Sequence, residues 1–321
     1  HDPFLMLGLR EAVNRIKSSL ESDEKIMVFG DYDVDGTTAV ALVYSFLIQE
    51  HSNCIYYIPD RYQEGYGIST QGIDHAKIEE VGLIIALDCG IKAVEKVDYA
   101  QSLGIDFIIC DHHLPGEIIP NAAAILDPKQ PNCSYPFKDL CGCGIGFKLI
   151  QALTQEKGGA IHDIIPFMDL VAMAIAADIV PIIGENRVLT HFGIQQIQDN
   201  PRVGIRYFIN QFKRKVNVSD LVFVIAPRIN GAGRIKHARH AVALLLSKDQ
   251  EEAISRSRAI ELFNSERKEI DQKITAQALD QIKQNKEEDR FSTVVFQPDW
   301  HKGVIGIVAS RLIETYYRPT V

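Results

Sequence analysis

The chain has 321 residues, 46% apolar and 24% charged, the proportions of a globular protein long enough for two domains. Its 34 Lys and Arg against 42 Asp and Glu give a net charge of −8, which taken alone argues against a phosphate-binding protein, because nucleic-acid binders usually carry a basic excess. The longest apolar stretch, Leu170–Ala177, is far below the ~20 residues a membrane span needs, and nothing at the start resembles a secretory leader. Cys54, Cys89, Cys110, Cys133, Cys141 and Cys143 lack CxxC spacing and read as reduced thiols of a cytoplasmic protein. The chain starts at His1 and stops just after a strand-like Pro319-Thr320-Val321, so a fragment is expected.

Over the first 130 residues, short apolar runs stand at Ile26–Phe29, Cys54–Ile58, Leu83–Leu87, Phe107–Cys110 and Ala122–Leu126. Helix-compatible segments such as Thr37–Gln49 and Ala93–Leu103 separate them. The runs do not alternate polar with apolar, which predicts strands buried on both faces. Such strands spaced by helices predict an α/β fold, a parallel β-sheet with helices on both faces and right-handed crossovers. A mostly helical stretch follows from Gly144 to about Leu246, broken by Pro166, Pro181, Pro201 and Pro227. From Arg234 to Gln297 neither Gly nor Pro occurs, and Ile254, Ile260, Phe263, Ile270, Ile274 and Ile282 roughly keep a helical spacing among many charges. That predicts a long, largely solvated connecting helix. A strand at Thr293–Phe296 then opens a second α/β unit. The expected division is 1–246, a connecting helix at 247–290, and the start of a second domain at 291–321.

The acidic residues fall at particular places. The first strand runs into Gly30-Asp31-Tyr32-Asp33-Val34-Asp35-Gly36, with Thr37-Thr38 able to cap the next helix. In an extended segment Asp31, Asp33 and Asp35 project to one side. The third strand ends in Asp88-Cys89-Gly90 and the fourth in Asp111-His112-His113. Open α/β sheets bind ligands at that carboxyl edge. Asp178 interrupts Leu170–Ala177 and Ile179-Val180-Pro181, a setting that costs several kcal/mol unless the carboxylate is paired or coordinated. One Asp-rich turn suits a cap or a solvated loop equally well. Four such clusters at one edge predict a shared site for Mn²⁺ or Mg²⁺, hard cations that prefer oxygen, and two such ions would suit a phosphoryl displacement.

At these residues the chain resembles the DHH phosphoesterase superfamily, named for the triplet Asp111-His112-His113, and within it the RecJ branch of single-strand-specific 5′→3′ exonucleases. The resemblance is carried by Val28–Gly36, Pro59–Gly67, Ala86–Gly90, Asp111–Pro115, Ala176–Pro181, Ala226–Arg234 and Trp300–Arg311, in order along essentially the whole chain. It implies a DHH catalytic domain followed by the start of a DHH-associated substrate-binding domain, most of which lies outside the sequence. It also implies that Asp31, Asp33, Asp88, His112 and Asp178 bind two metal ions, with Asp88 bridging. Asp35, Asp111 and His113 would support them or contact substrate. The pyrophosphatase branch has a histidine four residues before its first aspartate, where this chain has Met27 or Phe29. That favours the RecJ branch and leaves the ligands of the second metal open. The implied activity is two-metal hydrolysis of single-stranded DNA to 5′-mononucleotides in repair and recombination, with a single-strand-binding protein and a helicase as further partners.

Between Pro201 and His240 there are nine Lys and Arg and one acid, a net of +8, while the rest of the chain carries −16. A local basic stretch suits a groove that tracks phosphates, and Arg228, Asn230 and Arg234 lie where a Gly-rich Asn230–Arg234 turn would let backbone approach a ligand. Arg61 and Tyr66, with Tyr62, form a second candidate, since Arg forks onto phosphate and Tyr stacks on a base; the tyrosines suit simple packing equally. His301 could face the metals across a cleft or lie on the surface. Cys141–Gly146 lacks the Lys-Ser/Thr ending of a nucleotide loop and reads as a tight entry into a packed helix. The competing activities are a phosphodiesterase for short oligonucleotides or cyclic dinucleotides and a non-catalytic replication scaffold.

Overall fold

The computed structural model describes all of residues 1–321. Five parallel strands, β1 (Lys25–Gly30), β2 (Cys54–Tyr57), β3 (Val81–Leu87), β4 (Asp106–Cys110) and β5 (Ala124–Leu126), form one sheet in the order β2-β1-β3-β4-β5. Neighbouring residues in each strand serve opposite cores. Ile26, Val28, Leu83, Ile85, Leu87, Ile108 and Cys110 enter the larger one, while Met27, Phe29, Ile84, Ala86, Phe107 and Ile109 enter the smaller. That explains why the runs are continuously apolar. Helices α1 (Leu9–Glu21), α2 (Val34–Leu47), α5 (Gly142–Glu156) and α6 (Met168–Ala177) supply the larger core, and α3 (Thr70–Ile78) and α4 (Val94–Ser102) the smaller. The sheet is therefore covered on both faces. Its strand order reverses between β1 and β3, where such sheets open a crevice at their carboxyl ends.

Helices α7 (Gly184–Asp199), α8 (Val203–Ile209), α9 (Val218–Asp220), α10 (Ala226–Ile235) and α11 (Arg239–Leu245) follow, with a π-turn at Leu221–Ile225 leading into α10. Helix α12 spans Gln250–Gln284, with the Asp249 side chain capping its start by accepting from the Glu252 amide. Its buried stripe, Ala253, Ser257, Ile260, Asn264, Asp271, Ile274, Ala278 and Ile282, keeps a helical period, so it is less solvated than the charge density suggests. The last three of these pack with Val304, Val308 and Leu312 of α13 (Ile305–Thr315) and its approach. No helix is long and apolar enough to cross a membrane.

Three local expectations are corrected. Thr293–Phe296 forms no strand; one parallel bridge joins Thr293 to Thr320. The cap of α2 is Asp33, whose carboxylate accepts from the Gly36 amide, while the Thr37 and Thr38 hydroxyls turn back onto main-chain carbonyls inside the helix. The Asn230–Arg234 turn is helix, part of α10. A Cβ on Gly231 would come within 3.3 Å of Asn264 Cα, and one on Gly233 within 2.9 Å of the Tyr32 carbonyl. These glycines seat α10 between α12 and the first acidic loop.

Candidate metal centre

Each acidic cluster reaches the sheet edge by its own device. Asp31 directly follows β1 and is fully buried. Asp33 is the α2 cap. Asp35 lies inside the first turn of α2, so the three do not share one side of an extended segment. Its two carboxylate oxygens accept from the Gly142 amide at 2.6 Å and the Cys143 amide at 2.8 Å, holding the N-terminus of α5. Asp88 follows β3 with φ +60°, a left-handed conformation that costs a non-glycine residue about 1–3 kcal/mol. Asp178 caps the carboxyl end of α6 and is followed by Ile179, also at φ +60°, a rare conformation for a β-branched residue.

Asp35, Asp88 and Asp178 converge on His112. Its Nε2 lies 3.1 Å from Asp88 Oδ1, 3.6 Å from Asp178 Oδ2 and 3.8 Å from Asp35 Oδ2. Three groups have ligand atoms close enough to share an ion: Asp88, His112 and His113; Asp35, His112 and Asp178; Asp31, Asp33 and Asp88. Asp88 belongs to two of them. Asp31 Oδ2, Asp88 Oδ1, Asp178 Oδ2 and both ring nitrogens of His112 are buried and make no hydrogen bond. Buried polar atoms of folded proteins are normally satisfied, so five orphans in one place fit a cation-binding donor set. Carboxylate oxygens with one imidazole suit Mn²⁺ or Mg²⁺.

The electrostatics agree. Burial, with Asp33 next to it, pushes Asp31 up to about 7. Burial, with Asp35 nearby, pushes Asp178 up to about 8 and raises Asp33. Asp88 is raised well above the carboxylate range by burial and by Asp35 and Asp33. Burial lowers His112, keeping its imidazole neutral and able to donate a lone pair. Asp111 differs: burial raises it, but His113 and backbone amides more than offset this, and it ends below its usual value. Its Oδ1 accepts from His113 Nδ1 at 2.7 Å and from the His112 amide at 2.7 Å, and its Oδ2 from the Ile91 amide at 2.9 Å. Asp111 thus builds the loop, and its hydrogen bond raises His113.

Around the mouth, Tyr66 is exposed and its hydroxyl lies 3.2 Å from His113 Nε2. Arg61 lies over the Tyr32 ring at 4.7 Å. Arg234 donates to the Gly303 carbonyl at 2.9 Å, its own carbonyl accepts from the Tyr62 hydroxyl, and His301 meets the Tyr62 ring edge-on. The segment at His301–Gly303 therefore lies against Tyr62 and Arg234. Three cations of the basic segment are engaged within the fold. Arg202 pairs with buried Asp169 at 2.9 Å and Arg214 with Asp220 at 2.6 Å. Arg228 donates to the Val224 carbonyl and lies over Phe208.

Two residues beside the site carry a signal that the sequence reading passed over. Asp127 directly follows β5, as Asp31, Asp88 and Asp111 follow β1, β3 and β4, and it is fully buried. Lys129, two residues on, donates to the His112 carbonyl. An apolar run leading directly into Asp is the same pattern that marks the clusters after β3 and β4.

The sequence matches the DHH family, N-terminal domain, over residues 25–175. It is 40% identical over 324 residues to the single-stranded-DNA-specific exonuclease RecJ of Bacillus subtilis (strain 168), covering 100% of this chain and 40% of that protein. With the protein of the same name from Escherichia coli (strain K12) the identity is 36% over 331 residues, covering 98% of this chain and 57% of the relative. The chain thus spans about two fifths to three fifths of the length of these curated relatives. A solved structure, exonuclease RecJ bound to manganese, matches with a TM-score of 0.89 at 31% identity, covering 98% of this chain and 79% of that one. This chain belongs to the RecJ family of DHH proteins.

Proposed function

We propose that the chain carries the metal centre of a 5′→3′ exonuclease that degrades single-stranded DNA to 5′-mononucleotides in repair and recombination. The observation behind this is the set of five unpartnered buried donors on Asp31, Asp88, His112 and Asp178. Asp31, Asp33 and Asp88 would hold one divalent ion, and Asp88, His112 and Asp178 the other, with Asp88 common to both. Bound there, two Mn²⁺ or Mg²⁺ ions supply a water of lowered pKa and a clamp on the phosphodiester oxygens. Asp35 positions the centre by tying α5 to the first acidic loop. Asp111 holds His113 by a charge-assisted hydrogen bond, aimed through Tyr66 toward the mouth. Arg61 and Arg234 would receive phosphate, and Tyr66 and His301 the flanking nucleotide. Asn230, one turn before Arg234 on α10, joins this face. Arg228, engaged by Val224 and Phe208, is assigned to the packing of α10.

We assign residues 1–246 to the DHH catalytic domain, 247–290 to the connector and 291–321 to the start of the DHH-associated domain. Six free, buried cysteines support a reducing compartment, the cytoplasm, where a single-strand-binding protein and a helicase would supply substrate. Asp88→Ala and His112→Ala are expected to abolish Mn²⁺-dependent release from 5′-labelled single strands. A 5′ block should stop degradation and a 3′ block should not. Undiminished activity in either variant, or the reverse polarity, overturns the reading.

A further inference from the structure

A metal-bound histidine is ordinarily aimed by its second ring nitrogen, which donates to a carboxylate, a carbonyl or a water. His112 lacks that support: its Nδ1 is buried and has no partner. The main chain on either side of the ring is held instead. The His112 amide donates to Asp111 Oδ1 at 2.7 Å, and the His112 carbonyl accepts from the Lys129 ammonium. Lys129 is itself fixed. Its amide donates to Asp127 Oδ1 at 2.7 Å, and Gln130 Nε2 ties the same turn to the Ile125 carbonyl at 3.0 Å and the Asp127 carbonyl at 3.3 Å. The turn continues β5, which pairs with β4, and the Asp111 amide extends that pairing to the Leu126 carbonyl at 3.0 Å. A hydrogen-bonded path thus runs from the end of β5 through Lys129 to the histidine between Asp88, Asp35 and Asp178.

We propose that Lys129 is a positioning residue for the metal centre, setting the orientation of His112 through the His112 carbonyl. It does the work that a hydrogen bond donated by Nδ1 does in other histidine sites. This rests on reading His112 as a metal ligand. It also makes a prediction opposite in sign to a purely electrostatic role, because removing a positive charge near the carboxylates of the centre would by itself tighten cation binding.

The test is titration of the metal-free chain with Mn²⁺, by calorimetry and by the Mn²⁺-induced rise in Tm. Lys129→Met keeps the aliphatic stem and removes the donor. It is expected to weaken Mn²⁺ binding about 10- to 100-fold, the usual cost of losing an outer support. Lys129→Arg should keep the wild-type affinity, and Lys129→Gln, uncharged but still a donor, should bind more tightly than Lys129→Met. Unchanged or tighter binding by Lys129→Met overturns the proposal, as does a lower Tm in EDTA with Mn²⁺ affinity intact, which marks a structural brace only. If Lys129→Met does not fold, Lys129→Ala decides: affinity equal to or above wild type overturns the proposal, and weaker binding beside wild-type affinity in Lys129→Arg supports it. His112→Ala runs alongside. If it binds Mn²⁺ like wild type, the reading of the metal centre itself has failed and the proposal falls with it, a failure distinct from one confined to Lys129.

Discussion

Two aspartates of the centre, both buried and both within 4 Å of His112 Nε2, do different things. Asp35 accepts two short hydrogen bonds from the start of α5, and hydrogen bonds to a charged group contribute about 1.5–3 kcal/mol each. Asp88 Oδ1 accepts none, and its burial among other carboxylates disfavours its ionised form. Asp35→Asn should therefore lower the Tm of the metal-free chain, since an amide cannot accept at both positions and leaves one α5 amide unsatisfied. Asp88→Asn should raise that Tm, because it removes a carboxyl whose ionisation burial and the neighbouring carboxylates oppose. Thermal melts in EDTA measure both. Repeating them with Mn²⁺ should show the stabilisation by metal lost in Asp88→Asn. A fall in the EDTA Tm of Asp88→Asn would mean that its carboxylate makes a favourable contact beyond these.

Helix α5 reaches the centre because its first residue is glycine: a Cβ on Gly142 would come within 2.6 Å of Asp88 Cβ. Gly142→Ala must push α5 or the Asp88 loop aside, at about 1–3 kcal/mol, and should weaken Mn²⁺ binding together with stability. Gly303 has the same role at the seam, where a Cβ would meet the Tyr62 hydroxyl and the Arg234 carbonyl. Gly303→Ala should speed hydrogen exchange in α13 while leaving β1, β3 and β4 protected; equal protection in α13 would show that the seam does not depend on this contact. Elements of this kind differ in how far the sequence reveals them. Strands β1, β3 and β4 are legible because burial on both faces makes them continuous apolar runs, and Asp31, Asp88 and Asp111 stand out as the first charges after them. Asp178 is legible for the opposite reason, as a charge that interrupts a long apolar run. What the sequence does not show is pairing across distance. Arg202, Arg214 and Arg228 count as free cations until Asp169, Asp220 and Phe208 are seen beside them. The glycines of α10 look like a turn until Asn264 and Tyr32 are seen against them.

At the scale of the whole molecule, the net charge of −8 conceals a buried negative centre whose ionisation opposes folding. Asp31 stands at about 7 and Asp178 at about 8, against about 4 for an unfolded carboxyl. A carboxyl raised on folding contributes stability in full below its unfolded value and loses it as pH rises through the folded value. His113, raised by its hydrogen bond to Asp111, acts in the same direction, since a group protonated more readily in the folded state loses that contribution as it deprotonates. Asp111 is depressed, so its contribution is lost only in acid, below this range. The metal-free chain should therefore lose stability steadily from about pH 5 to about pH 8. A divalent ion replaces the protons with fixed charge and flattens that slope, so the Mn²⁺-induced rise in Tm should be larger at pH 8 than at pH 5. Melting curves in EDTA and in saturating Mn²⁺ across this range measure the difference. Asp178→Asn should remove part of the EDTA slope, because it deletes the group that titrates near 8. Parallel slopes with and without Mn²⁺ would mean that the cation does not bind among these carboxylates, and the metal centre would have to be sought elsewhere on the sheet edge.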